Sequence, residues 1–296
     1  MELRGLGDRW EAETRRRFNR QAESFLPPTD RQSRAVVELT ASLREVADRA
    51  DLGGLAEAER QARELGLRVD TLSADTGRYL VLRECQPRGW GTAVFRCGSD
   101  SGLVVQVPHP LSDYRTPELG LRMFERSGAE VYLLAGANRY NRSEPSPDQP
   151  HRRLSDAAHS SRTFFHAAHQ GVVEPGDTVL QLHGFDDRPG DPAVVLSDGL
   201  DDGRDPPAVA DLLGSLTEHG IPGRISDFRS PLDRRLGARG NLQLQDMERR
   251  GLLEDSTFVH VEVNEPLRKQ ADDTLVSAVA DWAHSLLGSS MSADRR

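Results

Sequence analysis

Cysteine is scarce. The 296 residues contain two, Cys85 and Cys97, too few for a disulfide framework. They flank a predicted hairpin, so a bridge between them is conceivable, but free thiols in a reducing compartment are the expectation. Long hydrophobic runs are missing as well. No apolar stretch approaches the ~20 residues that span a bilayer. The segment Met1 to Arg20 is studded with charge and has no apolar h-region, so neither a membrane span nor a secretory signal is expected, and a cytoplasmic location is. A cationic field is also absent. The formal net charge is -9, which disfavours nucleic acid and anionic membranes as partners. The basic runs Arg15-Arg16-Arg17 and Arg152-Arg153 are surrounded by acids and read as solvated faces.

Several catalytic signatures are missing too. No Gly-x-Ser-x-Gly follows a strand, which disfavours a serine hydrolase of the nucleophile-elbow type. No Gly-x-Gly-x-x-Gly turn announces a dinucleotide site, and no His-Glu-x-x-His string marks a helix-borne zinc protease. No fixed-period repeat is present.

What is there is an alternation of strands and helices. Residues 1–68 read as a charged helical extension in which Val36, Val37, Leu39, Leu43 and Val46 recur near helical spacing, Pro27-Pro28 divides two helical segments, and Asp30 is the expected cap of the second. This extension packs on the main domain or offers a second copy of the chain a surface. From residue 69 the pattern changes. A hairpin is predicted from Tyr79-Leu80-Val81-Leu82 and Ala93-Val94-Phe95. Strands follow at 103–107, 131–134, 178–182, 193–196 and 258–263. Helices are expected at 117–126, about 155–169, 207–218 and 272–287, with a short alternating segment at 241–245 and a disordered tail at 289–296. This is an α/β pattern: a mixed, largely parallel sheet flanked by helices over residues 69–288. The loop 140–154, rich in Pro, Ser, Asn and Arg, is long enough to form a mobile rim.

In open α/β sheets ligands sit beyond the carboxyl ends of the strands, and here those ends are polar. One strand runs into His109 and Asp113, another into His183, a third into Asn138-Arg139, and Glu262 sits within a late apolar strand. Two His and a carboxylate leave a coordination position open on a zinc ion. Zinc lowers the pKa of bound water and polarises a carbonyl. A separate carboxylate then moves the proton to the leaving amine, and an arginine binds a substrate carboxylate in bidentate fashion. Each piece also has a plainer reading. Asp113 caps the next helix, or Arg139 anchors a loop by pairing with Asp156. His260, Glu262 and Asn264 share one face of their strand by period-two alternation, which suits a polar site better than a core. Asp156 to His159 orients ligands, replaces one, or simply opens a helix. His166 and His169 read as surface residues of that helix.

The order of these parts resembles that of the zinc carboxypeptidases and their relatives, including the N-formylglutamate amidohydrolase group. The resemblance runs over residues 78–288 and rests on Val107-Pro108-His109 with Asp113, Gly136-Ala137-Asn138-Arg139-Tyr140-Asn141, Thr178 to Gly184, and Phe258-Val259-His260-Val261-Glu262. It implies a zinc ion held by His109, Asp113 and His183, substrate binding by Asn138 and Arg139 or Arg142, a catalytic part for Arg139, and Glu262 as the base. Asp113 lies four residues after His109, whereas the family spaces its acid by three. Both Arg139 and Arg142 remain candidates for the carboxylate clamp. The implied activity is zinc-dependent hydrolysis of an amide bond in a small peptide C-terminus or N-acyl amino acid. Two alternatives stand beside it. One is a ligand-binding protein that keeps the fold without catalysis. The other is a two-metal site drawing on Asp186, Asp187 and Asp198.

Overall fold

A computed structural model describes residues 25–49, 52–186, 188–200, 207–270 and 273–293. The basic run at 15–17, the first helical segment, Asp187 and the last three residues lie outside them. In chain order, helices α1 (Asp30–Asp48) and α2 (Leu55–Glu64) are followed by strands β1 (Leu67–Ala74), β2 (Gly77–Glu84), β3 (Gly91–Arg96) and β4 (Leu103–Val107). Helix α3 (Thr116–Ser127), β5 (Val131–Ala135), α4 (Phe164–Val172), β6 (Thr178–Phe185) and β7 (Val194–Ser197) come next. The chain closes with α5 (Pro207–Glu218), β8 (Gly223–Ile225), α6 (Pro231–Leu236), α7 (Leu242–Arg249), β9 (Thr257–Asn264), α8 (Glu265–Gln270) and α9 (Asp273–Ala293).

The nine strands form one mixed sheet in the order β1-β2-β3-β5-β4-β6-β9-β7-β8. The central four, β5-β4-β6-β9, are parallel. Antiparallel pairs flank them: the β1-β2-β3 ribbon joins β5, and β7 runs against β9. Gly91 is where β3 meets β5. A Cβ there would strike the Leu134 carbonyl, and its φ of 116° suits glycine alone.

Helices cover both faces. On one, Leu119, Phe124, Leu212, Val276 and Trp282 of α3, α5 and α9 pack on Val105, Val107, Leu180, Leu182, Val259 and Val261. Trp282 donates to the Ala208 carbonyl at 2.8 Å, tying α9 to α5. On the other face, Val36, Leu39 and Leu43 of α1 join Phe164, Ala168, Leu244 and Met247 against Val104, Val179 and Phe258. The N-terminal helices thus share the core of the main sheet. Period-two alternation decides which strand residues see which layer. The second face is apolar at the amino ends of β4, β6 and β9 and polar toward their carboxyl ends. Gln106 aligns with Gln181, Gln181 with His260, and His183 with Glu262.

Several local expectations are corrected. The helix expected from Ser155 begins at Phe164, where Thr163 caps it by accepting from His166 N at 3.1 Å. Residues 155–163 stay irregular because the side chains there are committed to the site below. The segment 241–245 is helical: Asn241 Oδ1 accepts from Gln243 N at 3.0 Å and Leu244 N at 3.2 Å, so it is the cap of α7. The cap of α1 is Thr29, not Asp30, in a reciprocal box with Gln32. Helix α9 continues through Ala293, beyond the start of the expected tail. Cys85 and Cys97 are free thiols. Among the described residues no helix is long and apolar enough to cross a membrane.

Candidate metal centre

The backbone after β4 explains how a four-residue spacing brings His109 and Asp113 together. Asp113 N donates to the His109 carbonyl at 2.9 Å. This single helical turn stacks the two side chains on one side, and His109 Nδ1 lies 3.4 Å from Asp113 Oδ2. Asp113 is not a helix cap. The residue preceding α3 is Arg115, left-handed at φ 65° and without a side-chain cap. Asp113 Oδ2 instead accepts from Gly184 N at 3.0 Å and faces His183 Nδ1 at 3.8 Å. A side chain at Gly184 would collide with the Arg268 guanidinium. Arg268 binds the carbonyls of Val263 at 2.7 Å and Tyr114 at 2.9 Å, holding the ends of β6 and β9 and the turn before α3 in register.

Hydrogen bonds behind the two imidazoles fix their tautomers. His109 Nε2 donates to Asp156 Oδ1 at 2.8 Å, while Nδ1 accepts from Arg139 Nη1 at 3.2 Å. His183 Nε2 donates to Gln181 Oε1 at 2.8 Å. The Gln181 amide is itself oriented, since its Nε2 donates to Gln106 Oε1 at 3.0 Å and to Gln243 Oε1 at 3.3 Å. Gln106 and Gln243 pass the chain on to His169 Nδ1 at 2.9 Å and His166 Nδ1 at 3.2 Å. His166 and His169, expected at the surface, are therefore buried ends of this relay. The Nδ1 atoms of both rings face Asp113, that of His109 while it also takes the Arg139 hydrogen bond. Burial, then His260 and His109, hold the His183 pKa well below its ordinary value, so this ring is neutral and carries its one proton on Nε2. For His109, burial and Arg139 pull downward, but Asp156 and Asp113 outweigh them and its pKa rises.

Asp156 is the hub behind His109. It also binds His159 Nδ1 at 3.0 Å and Arg139 Nη2 at 2.9 Å. Burial pushes its pKa up, yet the His109 and His159 rings outweigh that and hold it far below the carboxylate range. On β9, His260 Nε2 and Glu262 Oε1 lie 3.4 Å apart, whereas His260 Nδ1 and Glu262 Oε2 are buried with no hydrogen-bond partner. The His183 ring packs between those of His109 and His260, at centroid distances of 4.8 and 4.4 Å. His109, His159, His183, His260 and Glu262 open onto one cleft of about 290 Å³, which Arg139, Tyr140, Arg152, Asp186 and Arg235 also line.

The structure thus gathers His109, Asp113, His183, Arg139 and Glu262. It leaves Asn138 and Arg142 away from the cleft lining. Asn138 Oδ1 closes its own turn on Tyr140 N at 2.9 Å, and Arg142 pairs with Glu144. Arg139 makes the loop-anchoring pair with Asp156 that its plainer reading foresaw. Arg152, read from sequence as part of a solvated face, lines the cleft instead. Of the two-metal acids, Asp186 reaches the cleft, while Asp198 caps the turn at Leu200. The Gln106, Gln181 and Gln243 relay was not foreseen. Its signal was present as Val105-Gln106-Val107 and Leu180-Gln181-Leu182, amides set inside apolar strands.

Among the described residues, three overlapping sets of groups are close enough to hold a metal ion: His109, Asp113 and His183; His109, Asp156 and His159; His183, His260 and Glu262. Within each, the ligand atoms lie within 4.8 Å of one another. In the second, Asp156 already serves an arginine and two imidazoles. The first set has both Nδ1 atoms turned toward Asp113 and both Nε2 atoms bound behind, which is how a ligating histidine is held. Two imidazoles and one carboxylate fit a zinc-like dication and leave a position open, His109 giving up a proton and its Arg139 bond to ligate. The orphaned Glu262 oxygen beside them marks room for a further polar group.

No family model matches the chain, and no curated protein does. Among solved structures, N-formylglutamate amidohydrolase from Ralstonia eutropha is similar at TM-score 0.41 and 15% identity, covering 68% of this chain and 99% of its own. A bacteriophage poly-gamma-glutamate hydrolase gives TM-score 0.40 and 13% identity, covering 64% and 86%. A protein assigned as carboxypeptidase A from Shewanella denitrificans gives 0.36 and 9%, covering 75% and 77%.

Proposed function

We propose that this chain is a zinc-dependent hydrolase of an amide bond in a carboxylate-bearing substrate, a peptide C-terminus or an N-acyl amino acid. The observation that carries the reading is the convergence of His109 Nδ1, His183 Nδ1 and Asp113 Oδ2 beside the cleft onto which Glu262, with its unpartnered Oε2, also opens. His109, Asp113 and His183 would hold the ion, which when bound would polarise the scissile carbonyl and lower the pKa of water. Glu262 Oε2 takes the proton of the attacking water and returns it to the departing nitrogen. Arg139, fixed by Asp156, presents a positioned cation to the charge that develops on the carbonyl oxygen. Asp156 and Gln181 keep the two imidazoles in the tautomers that face inward.

Elemental analysis should find one zinc per chain, lost in His109→Ala and in His183→Ala. Wild-type zinc content in both variants rejects the ligand assignment. A screen of peptide and N-acyl amino acid libraries should show chelator-sensitive cleavage. Binding without turnover in that screen would favour the non-catalytic alternative.

A further inference from the structure

The cleft holds more positive charge than the chemistry uses. Of its arginines, Arg139 is committed to Asp156, and the neighbouring Arg142 turns away to Glu144. Arg152 is different. Its backbone is pinned: Ser146 N donates to the Arg152 carbonyl and Arg152 N to the Gln149 carbonyl, each at 2.8 Å. The turn that carries it is stapled to both walls of the cleft, by Ser146 Oγ on the His159 carbonyl at 2.7 Å and by Gln149 Nε2 on the Gly240 carbonyl. The half-buried Arg152 side chain lines the cleft. Among the described residues no carboxylate pairs with its guanidinium, while its Nε is covered by protein atoms and makes no hydrogen bond, as at Arg44, Arg88, Arg115 and Arg224. Arg235 on α6 lines the cleft as well, likewise without a described carboxylate partner.

A guanidinium that lines a cleft with no carboxylate partner can take one from a ligand. With Nε covered, its two Nη groups form the end-on edge that takes a carboxylate through two parallel hydrogen bonds. In a chain of net charge -9, two unpaired arginines in one cleft are set against the general balance. We infer that Arg152, joined by Arg235, is where the free carboxylate of the substrate docks, in place of the Asn138-Arg139 pair. The identity of that carboxylate, next to an amide, rests on the hydrolase reading. Arg139 stays with the reacting carbonyl, and Arg152 selects which amides enter.

The test uses the metal-free protein, so that binding is read without turnover and without a competing ion. Calorimetric titration with N-acetylglycine and N-acetylglycinamide should show that the wild type prefers the carboxylate. Arg152→Gln should weaken the carboxylate about tenfold or more, as expected for a charge-assisted pair, and leave the carboxamide unchanged. Arg152→Lys should recover part of the loss, and Arg235→Gln should give a smaller one. Thermal melts matching wild type would show that each variant is folded. Wild-type affinity in Arg152→Gln, with the loss appearing in Arg139→Gln instead, overturns the assignment. So does a wild type that does not distinguish the two ligands. Neither result touches zinc content or chelator-sensitive hydrolysis, so this inference and the hydrolase reading fail separately.

Discussion

The same parallel strands carry a buried polar cluster at each end, and the two differ in how far their carboxylates and imidazoles are satisfied. At the amino ends, Arg44 from α1 meets Glu130 Oε2 at 2.6 Å and Asp177 Oδ1 at 2.9 Å, and its Nη1 also reaches the Val172 carbonyl. Glu130 takes Gly102 N at 2.9 Å and Asp177 takes Glu174 N at 2.8 Å, so the carboxylates are occupied on both sides. At the carboxyl ends, His260 Nδ1 and Glu262 Oε2 have no partner among the described residues, and two imidazole Nδ1 atoms face one carboxylate. The amino-end carboxylates are all engaged and fasten α1 to the sheet, and only Arg44 Nε is left without a hydrogen bond there. At the carboxyl ends an imidazole nitrogen and a carboxylate oxygen stay unfilled beside a cleft, and keep their capacity for something that is not protein. Buried charge alone does not mark a site; unfilled acceptors beside a cleft do.

Three experiments would sharpen or break that contrast. The largest effect is expected from Glu262→Gln, which keeps the shape and removes the base. Turnover on the amide substrate should fall by about 10²–10⁴, with zinc content and melting temperature at wild-type values. Unchanged turnover would assign the base elsewhere.

Arg44→Met should do the reverse. It strands Glu130 and Asp177 without their cation, a loss of about 3–5 kcal/mol for a broken buried pair. Denaturant unfolding should show that loss, while zinc binding by the folded fraction stays intact. A variant as stable as wild type would mean the amino-end cluster is not a fastening.

The smallest effect belongs to the relay between the two regions. Burial holds the His169 pKa down to about 3, and burial lowers His166 as well. In the unfolded chain both take a proton near the ordinary 6.5, while in the folded one they stay neutral. For His169, stability is therefore fully present above that value and drains as pH falls toward 3, by up to ~1.4 kcal/mol per pH unit, and His166 acts in the same direction. Unfolding curves from pH 7.5 to 5 should show this, and His169→Gln should flatten the slope. A slope unaffected by that substitution would place the acid sensitivity elsewhere.

Much of the fold could be read because its signals are local. The runs at 79–82, 103–107 and 258–263 alternate or stay apolar over strand lengths, and 207–218 and 273–287 repeat at helical spacing. The errors have physical causes. Ser155 to His169 reads as one helix because apolar residues recur there, but Asp156 earns more from two imidazoles and a guanidinium than from a helical turn. Asn241-Leu242-Gln243 alternates like a strand, yet Asn241 can cap, and its backbone donors gave it α7. His166 and His169 look like surface residues only while their partners, Gln243 and Gln106, are unknown.

By itself the sequence determined the kinds of groups available and the strand ends that carry them: His109, Asp113, His183 and Glu262 belong to strands or the turns just beyond them, where period two and chain direction settle their side of the sheet. Tertiary structure alone decided how those groups are used. That Asp156 holds His109 while Asp113 faces both Nδ1 atoms, that Arg142 leaves the cleft, and that Arg152 enters it without a partner all depend on contacts between segments far apart in the chain. The reason lies in hydrogen bonding. A polar side chain's role is set by which of its donors and acceptors remain unfilled once every neighbour is in place, and no local pattern of residues records that.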